Sequence, residues 1–170
     1  TGQRELDEYL IKLDGTSNKA RLGVNAILPI SMAFARAIAV SRKQKLYEYI
    51  GELAGVSKFK LPQPLILLME GGKHGDWATD IQELMIIPQA GTFATFAKQL
   101  EACLEAFRTL GKMLSEKGWS TGVGLEGGYC PAELKSNDEA LALVTQAVAD
   151  RFGLGIDVAA SAFYKSGKYV

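Results

Sequence analysis

Cysteine is scarce in this 170-residue chain, where Cys103 and Cys130 are the two present. Such a pair does not make the disulfide framework of a small secreted domain. Neither sign of charge is in excess, with 19 basic and 19 acidic residues. A balanced chain has no general pull toward nucleic acid or an anionic membrane, so neither is an expected partner. No apolar run looks long enough to cross a bilayer. No secretory leader is recognisable, and the first residue is Thr1 rather than methionine. The expected setting is reducing and cytoplasmic. Phosphate-loop, CxxC, HExxH and serine-elbow motifs are all missing. There is no internal repeat and no low-complexity stretch. What is present is ordinary for a globular protein: 48% hydrophobic residues and enough length for a real core.

The periodicity predicts a short helix over 3–12, with Leu6, Tyr9 and Leu10 on one side. A turn cluster, 14–18, separates it from a strong helix over 24–41, where Ile27, Ser31, Phe34 and Ile38 recur at helical spacing. Pro29 argues for a start near that point or for a bend, because it lacks the amide hydrogen of a helix interior. A third helix over 45–54 ends at Gly55, a candidate left-handed cap. Pro62 and Pro64 then mark a boundary, giving a first domain over 1–60 and a second over 61–170. The apolar runs Leu65–Met69, Leu84–Ile87 and Leu154–Ala159 read as buried strands. Helices are expected over 93–116, striped by Leu100, Cys103, Phe107, Leu110 and Leu114, and over 137–151. Ser136 and Glu139 have the spacing of a capping box. This order argues for an α/β barrel or layered sheet. A complete eight-fold barrel takes about 250 residues. The second domain is therefore expected to be the first part of one, with the rest beyond residue 170 or in another chain.

Four residues carry potential chemistry. His74 is the only histidine and follows Gly71-Gly72 in a polar loop; it reads as catalytic or as an ordinary surface residue. Glu83 stands at a loop-to-strand edge, where it serves chemistry or merely caps or faces water. Glu126 lies in the frame Gly124-Leu125-Glu126-Gly127-Gly128, whose glycines allow close approach of substrate or backbone. Its alternative is a turn residue. Asp157 interrupts the apolar run Gly155-Ile156-Asp157-Val158, and a carboxylate at the end of a buried strand demands a partner or a metal. Magnesium favours such hard oxygen ligands. Two glutamates in a partly dry pocket can also divide acid and base roles.

Leu13-Asp14-Gly15-Thr16, Asn25-Ala26-Ile27-Leu28, Gly71-Gly72-Lys73-His74, Gln82-Glu83-Leu84-Met85-Ile86, Glu126-Gly127-Gly128 and Gly155-Ile156-Asp157-Val158-Ala159-Ala160-Ser161 occur in this order. Together they resemble the enolase family over nearly the whole chain. The resemblance implies an enolase-like α/β fold: the helical end of the small N-terminal domain, then the first part of a TIM-like barrel. It implies a parent protein that dehydrates 2-phosphoglycerate to phosphoenolpyruvate with two magnesium ions, and that forms a homodimer. By match, Glu126 is the general acid, Glu83 its partner in handling the hydroxyl, His74 a substrate-binding loop residue, and Asp157 the first of three magnesium carboxylates.

The chain also departs from the family pattern. Leu125 stands where Asp usually precedes the catalytic Glu. Glu70 replaces the usual Asn before the glycine pair, and Pro29 replaces a glycine. Lys73-His74-Gly75-Asp76-Trp77 differs from Ser-His-Ala-Gly-Asn. The family's serine-bearing lid loop is expected before residue 1, and the other metal ligands and the base lysine after residue 170. The isolated chain is therefore expected to be inactive. The competing reading is a non-catalytic enolase-like structural or interaction protein, which Leu125 and the altered loop favour and Glu83, Glu126 and Asp157 disfavour.

Overall fold

The computed structural model describes residues 2–148 and 150–170. The chain divides into two compact units, Thr1–Lys60 and Leu61–Val170.

The first unit is helical: α1 (Gln3–Asp14), α2 (Val24–Ser41) and α3 (Leu46–Ala54). The turn after α1 is wrapped around Asp14, which is buried. Its carboxylate accepts from the Thr16 amide at 3.0 Å, the Leu22 amide at 2.6 Å and the Thr16 hydroxyl. Those bonds, the Thr16 hydroxyl first, hold its pKa below the usual carboxylate range despite burial. Gln3 donates to the Ser31 hydroxyl at 2.9 Å and so ties α1 to α2. Gly55 caps α3 in the left-handed conformation, φ 70°, as the sequence leads one to expect.

Two readings need correction here. The helix bounds 24–41 hold, but Pro29 does not start the helix, for α2 runs through it from Val24. And α2 is long and apolar enough, by length and composition alone, to cross a membrane. Over 18 residues Arg36 is its one charged side chain, and the small alanines and single polar residues between the branched ones do not lower its hydropathy enough. One helix that meets this test is weak evidence for a span, and Ala39 is its one buried residue.

The second unit is a three-stranded sheet covered by two helices. Its elements are β1 (Ile66–Glu70), β2 (Glu83–Pro88), α4 (Phe96–Glu116), α5 (Asn137–Ala147) and β3 (Phe152–Asp157), followed by a small hairpin of β4 (Tyr164–Lys165) and β5 (Lys168–Tyr169). The sheet order is β1-β2-β3, and both pairings are antiparallel. Thus β3 runs in the direction of β1, and the α4–α5 pair connects β2 to its antiparallel neighbour β3. Leu68, Leu84 and Ile86 point from the sheet into a core shared with Cys103, Leu110 and Leu114 of α4 and Leu143 and Val144 of α5. Helical and strand periodicity supply matching apolar faces, and burying them is the main stabilising term. Both helices are capped by side chains: Thr95 accepts from Lys98 N at 3.2 Å, and Ser136 from Glu139 N at 3.1 Å. Glu139 does not close the reciprocal box on Ser136; its carboxylate takes the Lys135 amide at 3.0 Å.

Strand and helix limits shift by a few residues from the sequence reading. Helix α5 stops at Ala147, and β3 starts at Phe152 rather than Leu154. Asp157 therefore ends its strand instead of interrupting it. Among the described residues its side chain is exposed.

Candidate active site

The strand register builds the site. Glu70 ends β1, Glu83 begins β2 and Asp157 ends β3. Glu70 pairs with Glu83, and Glu83 pairs with Asp157. Residues directly opposite in an antiparallel pair project to the same face. Three carboxylates therefore form one row across the end of the sheet.

Two loops meet beside Glu70 and Glu83 in this row. The first, 71–82, is folded on itself: Gly75 N donates to Gly71 O at 2.7 Å and Trp77 N to Gly72 O at 2.7 Å. Gly75 is tightly enclosed, since a Cβ there would lie 2.4 Å from the Glu70 carbonyl oxygen. The second loop carries the turn 124–128, closed by Gly124 N donating to Gly128 O at 2.9 Å. The loops are joined at two points. Leu125 N donates to His74 O at 3.2 Å, and the His74 Nδ1 and Glu126 Oε1 atoms form a side-chain hydrogen bond across 52 residues of sequence.

The electrostatics follow from this crowding. Burial pushes the Glu83 carboxyl pKa above its ordinary value. Its hydrogen bond and charge repulsion with Glu126 add to the rise, as does the charge of Asp157, while Gln82 opposes it. Asp157 holds itself in place by accepting the Ala159 amide at 2.8 Å. An open cleft of about 400 Å³ adjoins the loop junction and is lined by Lys73, His74, Asp76, Val123, Leu125 and Cys130. Leu125 and Trp77, two of the departures from the family pattern, are both exposed. Burial, with the charges of Glu70 and Asp76, raises the Cys130 thiol pKa, which disfavours a reactive thiolate.

Two groups of donors suit a cation differently. Asp157 offers hard carboxylate oxygens at the end of the sheet, the ligand type that magnesium takes. Glu70, His74 and Glu126 bring three ligand atoms within 4.8 Å of one another. A mixed nitrogen and oxygen set of that kind suits a transition metal better. Its members are already engaged, Glu70 with backbone amides and His74 with Glu126.

His74, Glu83, Glu126 and Asp157, picked from the sequence, thus meet at one end of one sheet. Glu70 is the residue that sequence reasoning passed over, noting it only as a departure. The signal was available: an acidic residue ends an apolar strand and precedes Gly71-Gly72, much as Asp157 follows Gly155-Ile156.

Comparison with known proteins gives two family matches. Residues 58–170 match the C-terminal TIM barrel domain of enolase, and residues 1–50 match the enolase N-terminal domain. The chain is 43% identical, over 178 aligned positions, to a curated relative named Enolase from Bifidobacterium animalis subsp. lactis (strain AD011). The alignment covers 99% of this chain and 40% of that relative.

Proposed function

This chain belongs to the enolase family, and from that membership we propose that the whole protein is a phosphopyruvate hydratase, removing water from 2-phosphoglycerate to give phosphoenolpyruvate. The observation that carries the proposal is the meeting of His74, Glu83, Glu126 and Asp157 at the end of the sheet, where a barrel of this class holds its chemistry.

Each side chain has a role that its surroundings support. Glu126 is the general acid that delivers a proton to the departing hydroxyl. Glu83 holds its proton to higher pH than an ordinary carboxyl, so the Glu83–Glu126 pair retains a proton for that step. His74 orients the Glu126 carboxylate through its Nδ1 and presents the rest of the ring to the substrate. Asp157 would be a ligand of a magnesium ion, which when bound would supply stabilisation of negative charge on the substrate.

The two units correspond, in this proposal, to the helical end of the N-terminal domain and the opening of the barrel. A homodimer in the cytoplasm is the assembly and setting that family membership supports. Residues 1–170 alone are inactive, because Asp157 is one carboxylate and a catalytic magnesium site needs more ligands.

The test is direct. Purified whole protein is mixed with 2-phosphoglycerate and magnesium, and phosphoenolpyruvate is measured; residues 1–170 are assayed in parallel. Magnesium-dependent turnover by the whole protein, abolished by a chelator, is expected. A folded whole protein with no turnover would sink the proposal and favour the interaction module. Turnover by residues 1–170 would overturn their inactivity.

A further inference from the structure

We propose that Glu70 is a positioning residue: its buried carboxylate pins the 124–128 turn and so aims Glu126 at His74 and Glu83. The inference rests on the catalytic reading of Glu126 given above.

Glu70 is 0% exposed. A carboxylate so enclosed must satisfy its oxygens or leave the interior. Its partners come from the turn itself. Glu126 N donates to Oε1 at 3.0 Å and to Oε2 at 3.1 Å, and Gly128 N donates to Oε2 at 3.1 Å. Two backbone N–H groups of one turn thus converge on a single side chain. The backbone of Glu70 is held as firmly. Its N–H donates to Tyr129 O at 2.9 Å, and Tyr129 N returns a bond to Leu68 O at 3.0 Å. Strand β1 and the segment after the turn therefore lie side by side, and the carboxylate reaches back into the turn between them.

The glycines of the turn are an independent sign of the same fit. A Cβ on Gly124 would lie 2.6 Å from the Glu70 carboxyl carbon and from its Oε2. A Cβ on Gly128 would lie 2.9 Å from the Glu70 Cβ. The turn is moulded on this side chain. Fixing the Glu126 amide fixes the point and direction from which the Glu126 side chain leaves the backbone. A general acid displaced by an ångström loses much of its rate, while substrate held by other groups still binds.

The experiment compares Glu70→Ala, Glu70→Gln and Gly124→Ala in the whole protein. It reads kcat and KM for 2-phosphoglycerate together with hydrogen exchange at the Glu126 and Gly128 amides. Glu70→Ala is expected to lower kcat by about tenfold or more with KM changed by no more than about twofold. Both amides should exchange faster. Glu70→Gln keeps an acceptor oxygen and should recover much of the rate and the protection. Gly124→Ala, which drives the carboxylate aside, should reproduce the Ala result and decides the matter if Glu70→Ala does not fold. Unchanged kcat in folded Glu70→Ala or Gly124→Ala, or a lost rate with both amides still protected, would overturn the proposal. If the unmodified protein shows no turnover, the catalytic reading fails by itself; exchange then still reports whether Glu70 pins the turn, and unchanged protection in the variants rejects that as well.

Discussion

Glu83 stands directly opposite Asp157 across the β2–β3 ladder, so two acids share one face at the open end of the sheet. Like charges placed opposite one another oppose folding when both are ionised. Burial first, then the hydrogen bond and charge of Glu126, and last the charge of Asp157 make Glu83 keep its proton more tightly than an ordinary carboxyl, whose pKa is 4.5. The native state then binds more protons than the unfolded chain over a window that starts near that value. Stability falls as pH rises through the raised native pKa and levels off above it. Glu83→Gln removes the charge, so it is expected to raise Tm at pH 7 and to have no effect near pH 4. Solvent screening limits the gain to about 1 kcal/mol at most. Thermal unfolding at the two pH values checks this; an equal shift at both would contradict it.

Glu126→Gln removes the proposed proton donor while keeping the shape of the side chain. The whole protein is expected to lose kcat by about 10²–10⁴-fold. Steady-state assays would refute the assignment if the variant turned over at the original rate.

Gly75→Ala puts a Cβ against the Glu70 carbonyl, 2.4 Å away, where backbone has to move. The 71–82 loop should shift and the His74–Glu126 hydrogen bond should break, although the sequence reading gives alanine as the family's usual residue there. A crystal structure of the variant, or the chemical shifts of the His74 ring, reports the change. A ring environment identical to that of the parent protein would show that the loop absorbs the methyl group.

Asp157→Asn weakens a hard anionic ligand without changing its size. Magnesium dependence of turnover is expected to move to concentrations higher by about tenfold or more. Calorimetric titration with magnesium is the second readout, and an unchanged midpoint in both would remove Asp157 from the metal site.

Leu110 is fully buried where α4 meets the sheet. Leu110→Ala should cost about 2–5 kcal/mol, the sum of lost burial and the cavity left behind. Urea unfolding gives the value. A cost well under 1 kcal/mol would mean that the core closes around the smaller side chain.

The helices and strands were legible because their signals are local. The stripe Cys103, Leu110 and Leu114 faces the core of the second unit, and Ser136 caps α5. Of the two readings of Pro29, a helix start at that point is overturned, because α2 already runs from Val24 through it. Asp157 was expected to be buried because its neighbours are apolar, yet burial depends on whether a second layer covers the strand. Nothing in the run Gly155–Val158 reveals what packs against β3.

Sequence alone determined the main helices and strands, the caps Gly55 and Ser136, and His74, Glu83, Glu126 and Asp157 as candidates, since hydrophobic period and residue chemistry are read over a few neighbouring positions. Tertiary structure decided which acids meet. The antiparallel register sets Glu70, Glu83 and Asp157 in one row, and the crossing of two loops brings Glu126 to Glu70 across 56 residues and to His74 across 52. Those encounters depend on strand pairing and on the path of the chain through space, which no short window of sequence contains.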